Sequence, residues 1–445
     1  MSILLSAIAI FSIFQLGVLA QFYLIKRGKY FEFSLPALFA LGLGAITTLF
    51  YLAGLLEFYF SQASVAITIS IFSLPFFLDA RLKNITKKNI KNYINGFKKS
   101  PKLFLLLFSI FLAILIMFAF SKTVWGYDAY ERWLAKARTF WVDGGITKEN
   151  AKIYGPSDDH NLWPFTASWI YYINGSSNEI WVRLVPLIAF LLIVFEFKKH
   201  TTNKSWNIKS YSWLSILIFT PFLWQTVAQE NYSGNADILV SLFFLLSTGA
   251  IIKREFLLAV VFLGLASFTK NDAFPALLGY LLLLPIAARN LVGKSELKLV
   301  FTVALSFLLA NLSLKYYYNL DSRYLNQDFS QIISQKPFLK YNKYSLHAFR
   351  EQFRQTYIWG LGWWVIFIFL VKRATIIFKN KSLLFAIALI GIQFMGYITI
   401  YYISKEDQAH QITTSISRVL LQIYPATLLI IYYANGNYKN ETRTS

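Results

Sequence analysis

Several acidic and basic side chains lie beside long apolar runs, where a charge is costly enough to mark a site or a pair. Asp128, Glu131, Arg132 and Lys136 recur at spacings of three and four between Trp125 and Trp141, which predicts one polar helical face. Trp133, Leu134, Ala137, Phe140 and Trp141 form the opposite face, and Asp143-Gly144-Gly145 ends the pattern. The segment reads as a helix in a membrane interface, tryptophans down and charges toward water. On the plainer reading it is an amphipathic cover, with Asp128 and Arg132 an i,i+4 surface pair worth a few tenths of a kcal/mol.

Three further places carry polar chemistry. Asp237 opens an apolar run after Asn231-Tyr232-Ser233-Gly234-Asn235-Ala236, where an acid also serves as a helix cap. Lys270-Asn271-Asp272 forms a tight turn between two apolar runs. Asp272 there can cap the helix before Pro275, whereas the lysine suits a phosphate. Asp158, Asp159 and His160 offer donors for a divalent cation, but three ligands so close in sequence with no second cluster make a thin metal site, and a solvated turn accounts for Asp158. The candidate metal donors are Asp128, Asp159 and His160. Lys336, Lys340, Lys343, Arg350 and Arg354 follow in a later loop, where snorkelling and headgroup contact account for them as readily as substrate does.

The elements that must position these residues are membrane helices. Of 445 residues 56% are hydrophobic and only 15% charged, which excludes an ordinary water-soluble core and a disordered chain. Cysteine is absent, so disulfides, thiolate metal sites and cysteine nucleophiles are excluded. Apolar runs long enough to cross a bilayer recur about thirteen times. They fall near 3–25, 34–56, 63–78, 103–121, 180–197, 211–228, 238–252, 256–269, 273–288, 299–314, 357–371, 383–403 and 419–433. The expected fold is an all-α polytopic bundle in three stretches. Residues 1–102 hold the N-terminal spans and a basic loop, 103–290 a module with a long loop at 122–179, and 291–445 the last spans with a loop at 315–356. With Met1 outside, 26 of the 43 basic residues but only six of the 22 acids fall on the inner side, as positively charged cytoplasmic loops require. The net charge of +21 is therefore a topology signal rather than a nucleic-acid footprint. Val18-Leu19-Ala20 is a passable signal-peptide cleavage site, but no basic residue precedes the apolar run, so the first span reads as retained.

The motifs together resemble the GT-C superfamily of polytopic glycosyltransferases, especially the branch similar to bacterial protein O-mannosyltransferases and lipid A aminoarabinose transferases. The resemblance rests on Trp125-Gly126-Tyr127-Asp128, Arg132-Trp133, Lys136-Ala137-Arg138 and Gly144-Gly145. His160-Asn161-Leu162-Trp163-Pro164 resembles a His-Pro-x-Tyr-Pro-Leu element without its first proline and with Trp for Tyr. Asn231 to Asp237 resembles a Gly-Tyr-Ala-Asp segment, and Thr269-Lys270-Asn271-Asp272-Ala273 a Thr-Lys-Asn-Glu-Gly turn. The match in order and placement spans residues 122–290.

The resemblance implies a sugar carried on a polyprenyl phosphate and transferred, by a single inverting displacement, to a glycan, lipid or protein acceptor at the outer face of the cytoplasmic membrane. It makes Asp128 the general base, with a pKa that burial would raise. Lys270 would meet the phosphate charge, with Arg132 and Lys136 behind it. Asp237, Asp272, His160 and Tyr127 would orient substrate, and Asp237 and Asp272 could also hold Lys270. A divalent cation is a feature of some members and not of others. Two other readings stay open. An O-antigen ligase or polymerase would rest on Arg350 and Arg354 and make Asp128 dispensable. A flippase or transporter of lipid-linked glycan would carry its charges in mid-span rather than at one rim.

Overall fold

The computed structural model describes residues 2–26, 33–79, 100–121, 126–153, 160–201, 208–287, 293–320, 338–403 and 408–437, together with scattered positions between 84 and 98 and Thr123 and Val124. Among these residues every regular element is a helix. Seven helices are long and apolar enough to cross a bilayer: Ser2–Gln21, Leu35–Leu55, Lys102–Ser121, Glu179–Thr201, Lys294–Tyr317, Lys381–Tyr402 and Ile412–Gly436. Each falls on an expected apolar run. Gln62–Pro75, Asp237–Ile252 and Phe256–Ser267 are apolar but shorter.

Numbered along the chain, the helices begin with α1 (Ser2–Lys26), α2 (Leu35–Leu55), α3 (Gln62–Leu78) and α4 (Lys102–Ser121). A short pair, α5 (Asp128–Leu134) and α6 (Ala135–Val142), leads to α7 (Leu162–Asn174), α8 (Glu179–Val182) and α9 (Leu184–Thr201). The expected run at 211–228 is two helices, α10 (Ile208–Ile218) and α11 (Pro221–Ala228). Pro221 has no N–H to continue the ladder and starts the second helix instead. Next come α12 (Asp237–Ile252), α13 (Phe256–Ser267), α14 (Phe274–Ala287) and α15 (Lys294–Tyr317). The last group is α16 (Phe338–Arg354), α17 (Thr356–Trp359), α18 (Gly362–Lys379), α19 (Lys381–Ile403) and α20 (Gln408–Tyr432). The expected loop at 315–356 is thus largely helical where described, and 321–337 lies outside the described residues.

Helix α12 is the central column. All of its residues are buried, and it packs against α9, α13 and α20. Around it, α4 and α15 are only 17% buried over their apolar windows and turn Leu, Ile and Phe side chains outward, as lipid-facing helices do. Helices α1 and α2 pack on α7, and α20 packs on α12, so all three expected stretches share one assembly. Helix α12 and α20 run alongside each other: Ser241 Oγ donates to the Leu421 carbonyl at 3.1 Å. The candidate site forms at the N-terminal end of α12, beside the middle of α20.

Candidate functional site

Asp128 begins a helix whose first seven residues are π-wound before α-winding resumes at Ala135. Such wide turns are uncommon and concentrate at functional positions. The preceding Gly126 lets two loops touch: its N–H donates to the Glu230 carbonyl at 3.2 Å, and a Cβ there would lie 2.2 Å from the Asn231 carbonyl oxygen. Gly234, at φ +106°, turns its own carbonyl to accept from Trp163 Nε1 at 2.6 Å. The segments carrying Asp128 and Asp237 are therefore joined by backbone, and the Trp163 indole ties the third to them.

Of the apolar face of α5 and α6, Trp133, Leu134, Ala137 and Phe140 are buried in the protein core and Trp141 is half-buried. Lys136 is a correction. Expected among the water-facing charges, it is buried between Ala135 and Ala137, because the fold covers this turn of α6 on both faces, with buried His160 close enough to feel the Lys136 charge. Asp128 and Arg132 do form the i,i+4 pair, at 3.1 Å. Asp128 also accepts from Nη1 of Arg418, 290 residues away on α20.

Arg418 is the hub. Its Nε donates to Asp237 Oδ2 at 2.9 Å, so one guanidinium joins the carboxylates of α5 and α12. Asp237 is 1% exposed and accepts on Oδ1 from Lys270 Nζ at 2.9 Å and Gln422 Nε2 at 2.7 Å. Lys270 Nζ reaches Asp272 Oδ2 at 2.9 Å as well. Gln422 is fixed in turn by Tyr397, whose hydroxyl donates to its Oε1 at 2.9 Å. Gln393 donates to the Asp272 carbonyl and accepts from Ala276 N at 2.9 Å. Three carboxylates and three cations from four remote segments thus form one network at low exposure, where a lone charge would be strongly penalised.

The electrostatic consequence for Asp128 is the reverse of the expectation. Burial alone would raise its pKa, but the guanidiniums of Arg418 and Arg132 outweigh that and hold the carboxyl down at about 2. At 27% side-chain exposure it remains the accessible carboxylate of the Arg418 pair of acids, since Asp237 is shut in. Lys270 sits between two carboxylates rather than facing outward, which is the anchoring arrangement anticipated for Asp237 and Asp272.

His160 does not join this network. It is fully buried, with its ring 5.0 Å from that of Phe268. Burial, with the ammoniums of Lys315 and Lys136, lowers its pKa to about 3, so it is neutral at physiological pH. Tyr127 is largely exposed. Trp125, Asp158 and Asp159 lie outside the described residues. Among the described residues no group of three or more His, Asp or Glu is placed to hold a metal ion, and Asp128 faces two guanidiniums rather than a second ligand. Arg350 and Arg354 share Glu351 at 3.3 and 3.2 Å on an exposed helix surface; Lys336 and the Lys340 side chain lie outside the described residues.

Arg418, Gln422, Gln393 and Tyr397 were not singled out in the sequence. A lone arginine in an apolar helix was the available signal. Comparison with family models, curated proteins and solved structures finds no match for this chain.

Proposed function

We propose that the chain is an integral-membrane glycosyltransferase of GT-C type, taking a sugar from a polyprenyl-phosphate donor to an acceptor on the non-cytoplasmic side. The single observation that supports this reading most is the meeting of Asp128, Asp237, Lys270 and Asp272, from three motif segments, at one end of α12. In this reading the shorter apolar helices complete a bundle of about thirteen spans, α5 and α6 lie at the outer interface, and lipid supplies the donor laterally.

Asp128 takes the proton of the attacking hydroxyl. The acceptor oxygen bonds to the anomeric carbon, the bond from that carbon to the phosphate oxygen breaks, and its electron pair stays on the phosphate. A carboxylate with a pKa of about 2 is a weak base, so the proton moves late, once the forming bond has made the acceptor oxygen acidic. Arg418 and Arg132 hold the carboxylate in position, and Lys270 anchors Asp237 and Asp272. Cations at this end, Lys136 and Arg132 among them, meet the charge gathering on the phosphate.

The test is sugar transfer by membranes containing the Asp128→Asn variant, supplied with a polyprenyl-phosphate sugar. Transfer is expected to fall by about 10²-fold or more while insertion and abundance are unchanged. Wild-type transfer in that variant removes the assignment.

A further inference from the structure

Next to the carboxylate network is a second group of polar side chains that the mechanism above does not use. Tyr51 comes from the last turns of α2, His160 and Asn161 from the chain entering α7, and Asn311 and Tyr318 from the end of α15. All five are buried. The hydroxyls of Tyr51 and Tyr318, both ring nitrogens of His160, both amide atoms of Asn161 and Nδ2 of Asn311 have no hydrogen-bond partner. Buried polar groups are nearly always paired, and seven orphaned atoms in one neighbourhood require a reason.

They are one neighbourhood. The Tyr51 and Tyr318 rings lie 6.0 Å apart, and Phe268 packs on both Tyr51, at 6.2 Å, and His160, at 5.0 Å. Tyr51 faces Asn161, and His160 faces Asn311, without closing a hydrogen bond. The charges acting on His160 are the ammoniums of Lys315 and Lys136. Lys315 Nζ also donates to Asn271 Oδ1 at 2.7 Å, which puts the group one residue from Lys270 and Asp272.

The chemistry of the orphaned atoms selects a ligand. Two tyrosine hydroxyls, two amide NH2 groups and one ring N–H of neutral His160 can donate, whereas Asn161 Oδ1 and the other His160 nitrogen can only accept. Five donors backed by two ammoniums match a compact oxyanion, and charge-assisted hydrogen bonds to one are the strong kind.

We propose that Tyr51, His160, Asn161, Asn311 and Tyr318, with Lys136 and Lys315, form a phosphate subsite. Resting on the glycosyltransferase reading, it is where the phosphate leaving the sugar is received, while Lys270 stays with its carboxylates. The Tyr51 and Tyr318 rings border it at the ends of α2 and α15. The same chemistry serves a lipid phosphate or free phosphate.

The full chain in detergent separates these by thermal melting at constant ionic strength, with inorganic phosphate, farnesyl phosphate or farnesol. Wild type is expected to gain stability with farnesyl phosphate and not with farnesol; a gain with inorganic phosphate alone assigns free phosphate as the ligand. Tyr318→Phe and Asn311→Leu remove orphaned groups without opening the core, so without ligand they are expected to melt at or above the wild-type temperature. Each is expected to weaken phosphate binding at least tenfold, the loss of one hydrogen bond to a charged group. Unchanged phosphate affinity in both variants, no phosphate-dependent gain in wild type, or a lower melting temperature in both with affinity retained would overturn the subsite. A phosphate gain lost in the variants but with no sugar transfer by wild-type membranes would keep the subsite and remove the glycosyltransferase reading.

Discussion

The two ends of α12 carry the same kinds of residue in different arrangements. At the C-terminal end, Glu196 meets His200 Nε2 at 3.2 Å and Lys199 Nζ at 3.5 Å, at spacings of four and three on a single helix. His200 Nδ1 then pairs with the Tyr433 hydroxyl at 2.8 Å, and its ring packs where a side chain on Gly249 would lie, 2.7 Å from Nε2. At the N-terminal end, Asp128, Asp237, Lys270 and Arg418 arrive from four segments and leave one carboxylate partly open to solvent. Some 24 Å of helix separates the two, from sixteen residues at about 1.5 Å each. A network made mainly by neighbours on one helix pins that helix in place. One assembled from distant segments, with an accessible acid, holds a site together.

Variants at the two ends can break this contrast. The largest effect is expected for Asp237→Asn, which leaves Lys270 and Arg418 short of a buried counter-charge and should cost about 3–5 kcal/mol of stability. A melting temperature unchanged from wild type would show that the N-terminal network is not under this constraint. Arg418→Gln should lower transfer about 10²-fold by loosening Asp128. It should also bring an acid limb into the pH profile, because Asp128 then keeps Arg132 but loses the guanidinium that acts on it most strongly. In the wild type, with that carboxyl at about 2, transfer should show no Asp128 limb between pH 5 and 8. The same depression adds stability that is present above pH 4 and lost as pH falls toward 2. At the other end, His200→Phe removes a buried partner of Glu196 and should cost about 1–3 kcal/mol with transfer per folded molecule unchanged. The smallest effect is expected for Glu351→Gln on the exposed surface of α16, within about 0.5 kcal/mol and neutral in transfer; a large loss there would favour a site built on Arg350 and Arg354.

Much of the frame was legible from hydropathy, because a bilayer core sets a minimum apolar length and all seven long helices fall where such runs occur. The break at Thr220-Pro221 was equally written in the chain but is hidden by an averaged apolar run. Within the site, Asp128, Asp237, Lys270 and Asp272 stood out as charges beside apolar segments. Their pairing did not, since nothing local to Asp128 announces Arg418 on the last described helix. That distant guanidinium is also why the expected upward pKa shift became a downward one. Lys136 was placed toward water for a different reason: periodicity separates a polar from an apolar face, but it does not tell whether the rest of the fold covers both, as it does around Ala135, Lys136 and Ala137. Tyr51, Asn311 and Tyr318 carry no charge and no motif, so only their convergence on His160 and Asn161 marks them.

The central claim is that the N-terminal end of α12 transfers a sugar and the C-terminal end does not. The most direct measurement is release of polyprenyl phosphate from a radiolabelled polyprenyl-phosphate sugar, in membranes that carry the native acceptor and matched amounts of wild type, Asp128→Asn or Glu196→Gln. Release by wild type and Glu196→Gln, with a loss of about 10²-fold or more in Asp128→Asn, is the predicted result. Equal release by Asp128→Asn and wild type, or no release by wild type above membranes without the protein, would contradict it.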